Sequence, residues 1–113
     1  MIVRLITTVS VMLLACHAAV GAPYQEEGLT GLHAKVRIGG KLCLADHTHQ
    51  GQSSGAPTRK AAEVAAIRSW SEFTSWEYSS AWGNFQLAMD KSMTCSQNGT
   101  TWSCVVEAQP CRR

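Results

Sequence analysis

The sequence has little of what most function classes require. Lysine and arginine number 10 against 8 aspartates and glutamates, a net charge of +2. The basic residues are scattered instead of forming a run, which removes the electrostatic case for nucleic acid. There is no Gly-x-Ser-x-Gly element and no phosphate-binding glycine loop. Asp46, Glu63, Glu72, Glu77, Asp90 and Glu107 supply carboxylates, but neither order nor spacing sets one apart as an acid and another as a base. An enzyme is therefore the least favoured class. The apolar run near the start, Leu5 to Ala15, is shorter than the roughly 20 residues a membrane-spanning helix needs.

That run is explained by targeting. Arg4 supplies a positive start, an uncharged apolar stretch follows, and small residues come next, so residues 1–21 read as a signal peptide cleaved after Gly21. A second reading treats Leu13-Leu14-Ala15-Cys16 as a bacterial lipobox. Cys16 would then carry acyl chains, and only in that case is a membrane a partner. Against it, the other four cysteines already make an even set. Cleavage leaves nine basic and eight acidic side chains, in a chain long enough for one domain with one modest core. Residues 22–31, polar with Pro23 and Gly28, read as a flexible lead-in, and residues 32–113 as the single domain.

What the chain does have is an apolar and aromatic centre. Between Arg59 and Asp90 lie Trp70, Trp76 and Trp82, three of the four tryptophans, with Phe73, Tyr78, Phe85 and Ile67. At about 100° per residue Ala62, Ala66, Ile67, Trp70 and Phe73 fall on one stripe, an amphipathic helix opened by Pro57 and Thr58. Glu77 would land inside that stripe, so the phase predicts a break near Tyr78-Ser79-Ser80 and a second short helix carrying Trp82 and Phe85.

Around the helix the pattern is that of strands. Leu32 to Ile38 and Lys41 to Ala45 flank Gly39-Gly40, and one or both read as strands, whereas Asp46 to Pro57 is polar and reads as loop. Ser92 to Cys95 and Thr101 to Ala108 flank an Asn98-Gly99 turn, the strongest short hairpin signal. On the second of these strands Trp102, Cys104, Val106 and Ala108 share the face that packs on the helix. Pro110 stops the strand. The fold class is α+β, a three-stranded antiparallel sheet on one long, broken helix in the order β-α-β-β.

Export implies an oxidising compartment, so Cys43, Cys95, Cys104 and Cys111 read as two disulfides. Of three connectivities, Cys95–Cys104 across the hairpin with Cys43–Cys111 tying the early strand to the end is favoured. An Asn98-Gly99 two-residue turn puts Cys95 opposite Trp102, so the first pair needs a longer loop or a bulge. Failing that, Cys95 or Cys104 pairs with Cys43.

Two constellations carry functional expectations. His47 and His49, at i and i+2 of an extended segment, project to one side and can chelate Cu²⁺ or Zn²⁺ with Asp46 or Cys43 assisting, the alternative being a polar loop of solvated histidines. His33 cannot be placed relative to them. Trp76 and Trp82 leave the main stripe and are expected at the surface, where they would bind a protein partner or a second copy. Trp70, Phe73 and Trp102 are expected in the core. Asn98-Gly99-Thr100 matches a glycosylation sequon, which the turn alone explains.

The run from Lys60 through Trp70, then Phe73, Glu77-Tyr78, Trp82, Cys95, Gly99, Trp102-Ser103-Cys104 and Ala108-Gln109-Pro110-Cys111 resembles small exported proteins of rhizobia and related proteobacteria, over roughly residues 41–111. The resemblance implies export to the periplasm or beyond, paired cysteines and a helix followed by a hairpin, and it implies no activity. The order strand, helix, strand, strand is also similar to dodecin-like folds, although no motif here matches the dodecin flavin site. The expectation is a non-enzymatic exported binding or structural module, with a periplasmic metal binder as the alternative.

Overall fold

The structure, a computed structural model, describes residues 28–113. The signal peptide, its cleavage site, Cys16 and most of the lead-in lie outside the described residues. The last part of that lead-in is ordered: Gly28–Leu32 forms a 3-10 helix with Thr30 buried. The chain continues through β1 (Lys35–Ile38), β2 (Lys41–Leu44), β3 (His49–Gln52), α1 (Arg59–Tyr78), β4 (Met89–Asn98), β5 (Thr101–Gln109) and β6 (Cys111–Arg112). The class is α+β with one helix, as expected. The strands, however, divide between two three-stranded antiparallel sheets, β1-β2-β6 and β3-β5-β4.

The helix begins where Thr58, in extended conformation, accepts a hydrogen bond on its Oγ1 from the Ala61 amide at 3.1 Å. It then runs unbroken for 20 residues. Its buried residues are Ala62, Ala66, Trp70, Thr74 and Tyr78, a strict four-residue repeat. Each step of four advances about 40° beyond a full turn, so the buried stripe winds around the helix. Its first half faces the β3-β5-β4 sheet, where Ala62, Ala66 and Trp70 pack with Ala88, Cys104, Val106 and Ala108. Its last residue, Tyr78, packs instead with Leu44 and Trp82. Phe73, expected in the core, is off this stripe and half-exposed. Glu77 does not break the helix, because it meets a histidine described below. The helix ends at Ser79, whose φ is +90°. Residues 80–87 form turns instead of the second helix expected there.

Both hairpins follow their turn residues. Gly39 and Gly40 have φ of +54° and +77°, the two positive values a type I′ turn requires, and they set the register Lys35↔Leu44. In the second hairpin the two-residue loop is Gly99-Thr100, one residue later than Asn98-Gly99, since Asn98 already pairs with Thr101. That shift places Cys95 directly opposite Cys104 with no bulge between them. The irregularity lies instead at Met89/Ser92, where Asp90 has φ +50°. Cys104, Val106 and Ala108 face the helix, and Val105 and Glu107 face solvent, as the alternation predicts.

Strand β3 is the element the composition concealed. His-Gln-Gly-Gln has no β-branched or large apolar residue. It is held by the free edge of β5, with Gly51 opposite Val106. Gly51 is needed because the helix lies against it: a Cβ there would run into Ala66 O and come within 2.5 Å of Trp70 N. Pro110, lacking an amide hydrogen, ends β5, and the chain resumes as β6 in the other sheet. Leu44 N donates to Pro110 O at 3.0 Å and Gln109 Nε2 to Leu44 O at 2.7 Å, so the crossover is pinned to β2. Cys43–Cys111 and Cys95–Cys104 are both disulfides.

Candidate functional site

The C-terminal half of α1 carries the one dense group of polar aromatic side chains. Three local structures deliver them. The chain just outside the β1–β2 hairpin carries His33 on one side and His47 on the other, with their rings side by side. The bond from Ala45 N to Ala34 O at 2.8 Å shows that the pairing continues in that direction. His49 opens β3, and Thr74, Glu77 and Tyr78 come from the last turn of α1.

Tyr78 Oη sits between two imidazoles, 2.9 Å from His33 Nε2 and 2.8 Å from His47 Nε2. A phenol has one proton, so one ring donates to Oη through Nε2–H while the other accepts from it. The two histidine rings lie 4.1 Å apart between centroids. His49 is a separate unit. Its Nδ1 lies 3.0 Å from Thr74 Oγ1 and its Nε2 3.0 Å from Glu77 Oε2. In the neutral ring Nε2–H donates to the carboxylate and Nδ1 accepts from the threonine hydroxyl. His49 also stacks on Tyr78, with centroids 4.9 Å apart.

These contacts set the protonation states. Burial holds His47 below the ordinary imidazole value of 6.5, its neighbour His33 lowers it further, and Glu77 partly offsets both. Burial likewise lowers His49, against the upward pull of Glu77. Tyr78 is pushed up to about 12, by burial first and by the Glu77 carboxylate second. At neutral pH His47, His49 and Tyr78 are all uncharged. Glu77, His49 and Thr74 are connected in the order carboxylate, imidazole, hydroxyl, as in a nucleophilic triad. Thr74, however, is fully buried, so no substrate reaches its hydroxyl, and the chain of bonds orients His49.

The expected site residues fare differently. Asp46 is exposed, at a position with φ +50°. His47 and His49 are close, 4.8 Å between centroids, but both nitrogens of His49 are engaged elsewhere. Among the described residues no three of His, Cys, Asp and Glu converge on one point. Cys43 is consumed by its disulfide. Trp76 is at the surface as expected, 81 % exposed, and stacks on Phe73 at 6.2 Å. Trp82 is not: it is 3 % exposed, packed with Leu44 and Tyr78 under the Arg112 guanidinium, 5.7 Å from its ring. The turns of residues 80–87 fold it inward, against Leu44 and Tyr78. Trp70, expected in the core, is there, its Nε1 donating to Ala108 O at 3.2 Å.

Sequence reasoning missed His33, Thr74 and Tyr78. The signal for His33 was present: a Gly39-Gly40 two-residue turn fixes the hairpin register and with it that the chain before Lys35 runs beside the chain after Leu44. Thr74 and Tyr78 become visible only if the four-residue repeat from Ala62 is followed in place of the apolar residues. No known protein family, curated protein or solved structure matches this chain.

Proposed function

We propose that this protein is an exported, non-enzymatic binding module that holds a protein partner on the exposed face of α1, through Phe73 and Trp76. The observation that carries the reading is the placement of Trp76. The chain buries Trp70 and Trp82 and leaves this one large ring 81 % exposed beside a half-exposed phenylalanine. Phe73 also packs on His49 of β3, with centroids 4.9 Å apart, which fixes its ring beside Trp76, and exposed aromatic pairs of this kind supply the anchors of protein interfaces. Glu72 stands one turn from Trp76, and Glu77 one turn from Phe73. Each ring therefore has a carboxylate near it, which suits a partner segment that presents an apolar side chain beside a lysine or arginine. Two disulfides fit an oxidising compartment, periplasmic or secreted. Among the described residues no helix is long and apolar enough to cross a membrane.

Selection of displayed peptides on the immobilised, oxidised protein tests this. Enriched sequences should pair an aromatic or aliphatic residue with a basic one, and they should lose binding to Trp76→Ala at least tenfold, a loss of about 1.4 kcal/mol. Because Trp76 is exposed, the variant should keep the thermal midpoint of the parent to within the effect of about 0.5 kcal/mol typical of surface positions. Peptides that bind parent and variant equally, or no enrichment, would reject the partner reading. A parent that sediments as a dimer and a Trp76→Ala variant that is monomeric would assign the face to a second copy instead.

A further inference from the structure

We propose that His33 Nε2, His47 Nε2 and Tyr78 Oη form a binding site for a divalent transition metal of tetragonal preference, Cu²⁺ above Zn²⁺. This is a different donor set from one built on His47, His49 and Asp46, and it is independent of the aromatic face.

Three observations carry it. First, the two ring nitrogens flank one oxygen at 2.9 and 2.8 Å. With metal–ligand bonds of about 2.0–2.1 Å, donors at right angles around a square-planar ion stand about 2.9 Å apart, whereas tetrahedral donors stand about 3.3 Å apart. Hydrogen bonding in the metal-free chain thus holds the donors at the spacing of a tetragonal site, and entry of the ion asks the rings to turn their Nε2 lone pairs from Oη toward it. Second, the rings of His33 and His47 stand 4.1 Å apart, so two imidazoles, the commonest ligands of such ions, meet at one point. Third, the surroundings suit a cation. The Glu77 carboxylate acts on both His47 and Tyr78. His33 and His47 are only half-buried, so the ion can reach them from solvent. His49, held by Thr74 and Glu77, supports Tyr78 from beneath by stacking and is not a donor.

The proton balance follows from the hydrogen bonds. Coordination uses both Nε2 lone pairs, so the ring that donates to Oη shifts its proton from Nε2 to Nδ1. The phenol proton of Tyr78 leaves to solvent as Oη binds. One proton is released per ion, and affinity rises with pH.

The experiment is titration of the full, oxidised, metal-free chain with Cu²⁺ and with Zn²⁺, followed by calorimetry in buffers of different ionisation enthalpy, visible absorption and electron paramagnetic resonance. The expected result is one Cu²⁺ per chain, coupling to two nitrogens, a tyrosinate-to-copper charge-transfer band and release of about one proton. His33→Gln and His47→Gln should each weaken Cu²⁺ binding by about tenfold or more, and Tyr78→Phe should abolish the band. Zn²⁺ should bind more weakly than Cu²⁺. Cu²⁺ binding that is undiminished in both histidine variants overturns the proposal. So does a parent spectrum without the band or without two coupled nitrogens, and that readout needs no variant to fold.

Discussion

At the scale of single residues, Tyr78 and His49 decide how the end of α1 is held. The phenol joins the helix to the β1–β2 hairpin through His33 and His47, and His49 joins it to β3 through Thr74 and Glu77. Burial keeps two of these imidazoles, His47 and His49, below their ordinary pKa. The unfolded chain, with His47 and His49 near 6.5, therefore binds protons that the folded chain resists. Their contribution to stability is fully present above the unfolded value and is lost as pH falls through the lowered folded values. The urea midpoint should hold steady from about pH 8 to about pH 7 and drop between about pH 7 and about pH 5, where few other groups titrate. A midpoint that is flat or rising as the pH falls through that window would contradict the protonation states assigned to His47 and His49.

At the scale of elements, the close approach of α1 and β3 is the contact on which the larger sheet depends. The helix offers Ala62 and Ala66, the strand offers Gly51, and backbone meets backbone with no side chain between. Gly51→Ala would force a Cβ against Ala66 O and Trp70 N, and neither can move without shifting the helix. Overpacking of a core by added methylenes costs about 1–3 kcal/mol where side chains yield. With backbone on the other side, Gly51→Ala should cost about 3 kcal/mol or more, read as a lowered denaturant midpoint. Exposed Gly55→Ala sets the scale for the ordinary effect of a positive φ, at +67° with open space around it. If the two substitutions cost the same, the helix does not lie against β3 as described.

At the scale of the whole molecule, the chain passes between two small sheets from β2 to β3 and again through Gln109-Pro110-Cys111, and one disulfide, Cys43–Cys111, pins β6 to β2 within the first sheet. Cys43–Cys111 closes a sequence separation of 68 residues, and Cys95–Cys104 one of 9. In the chain-entropy description these constrain the unfolded state by about 4 and about 3 kcal/mol respectively. The longer bridge should therefore matter more: Cys43→Ser with Cys111→Ser should lower the unfolding free energy further than Cys95→Ser with Cys104→Ser. The gap widens because Cys43 and Cys111 are fully buried, while Cys95 is partly exposed. Equal losses in equilibrium denaturation would mean that β6 stays on β2 without the bridge.

The amino-acid sequence by itself determined the local decisions. Thr58 set where the helix starts, Gly39-Gly40 set where the first hairpin turns, and alternation along 102–108 set which face of β5 is inside, because each is a property of neighbouring residues. The even cysteine set gave two disulfides, and the favoured pairing of four residues is the one observed. The division into two sheets was decided by the tertiary structure, since a polar His-Gln-Gly-Gln becomes a strand only when an edge of β5 and a helix backbone are waiting for it. The same is true of Glu77, which looks like the end of an amphipathic helix until His49 arrives from another element. Trp82 looks like surface until residues 80–87 fold it under Arg112. The candidate metal site was half legible. His47 announced itself, but its partners are 14 residues before it and 31 after it in sequence, and only hairpin register and the four-residue winding of α1 bring His33 and Tyr78 to the same point.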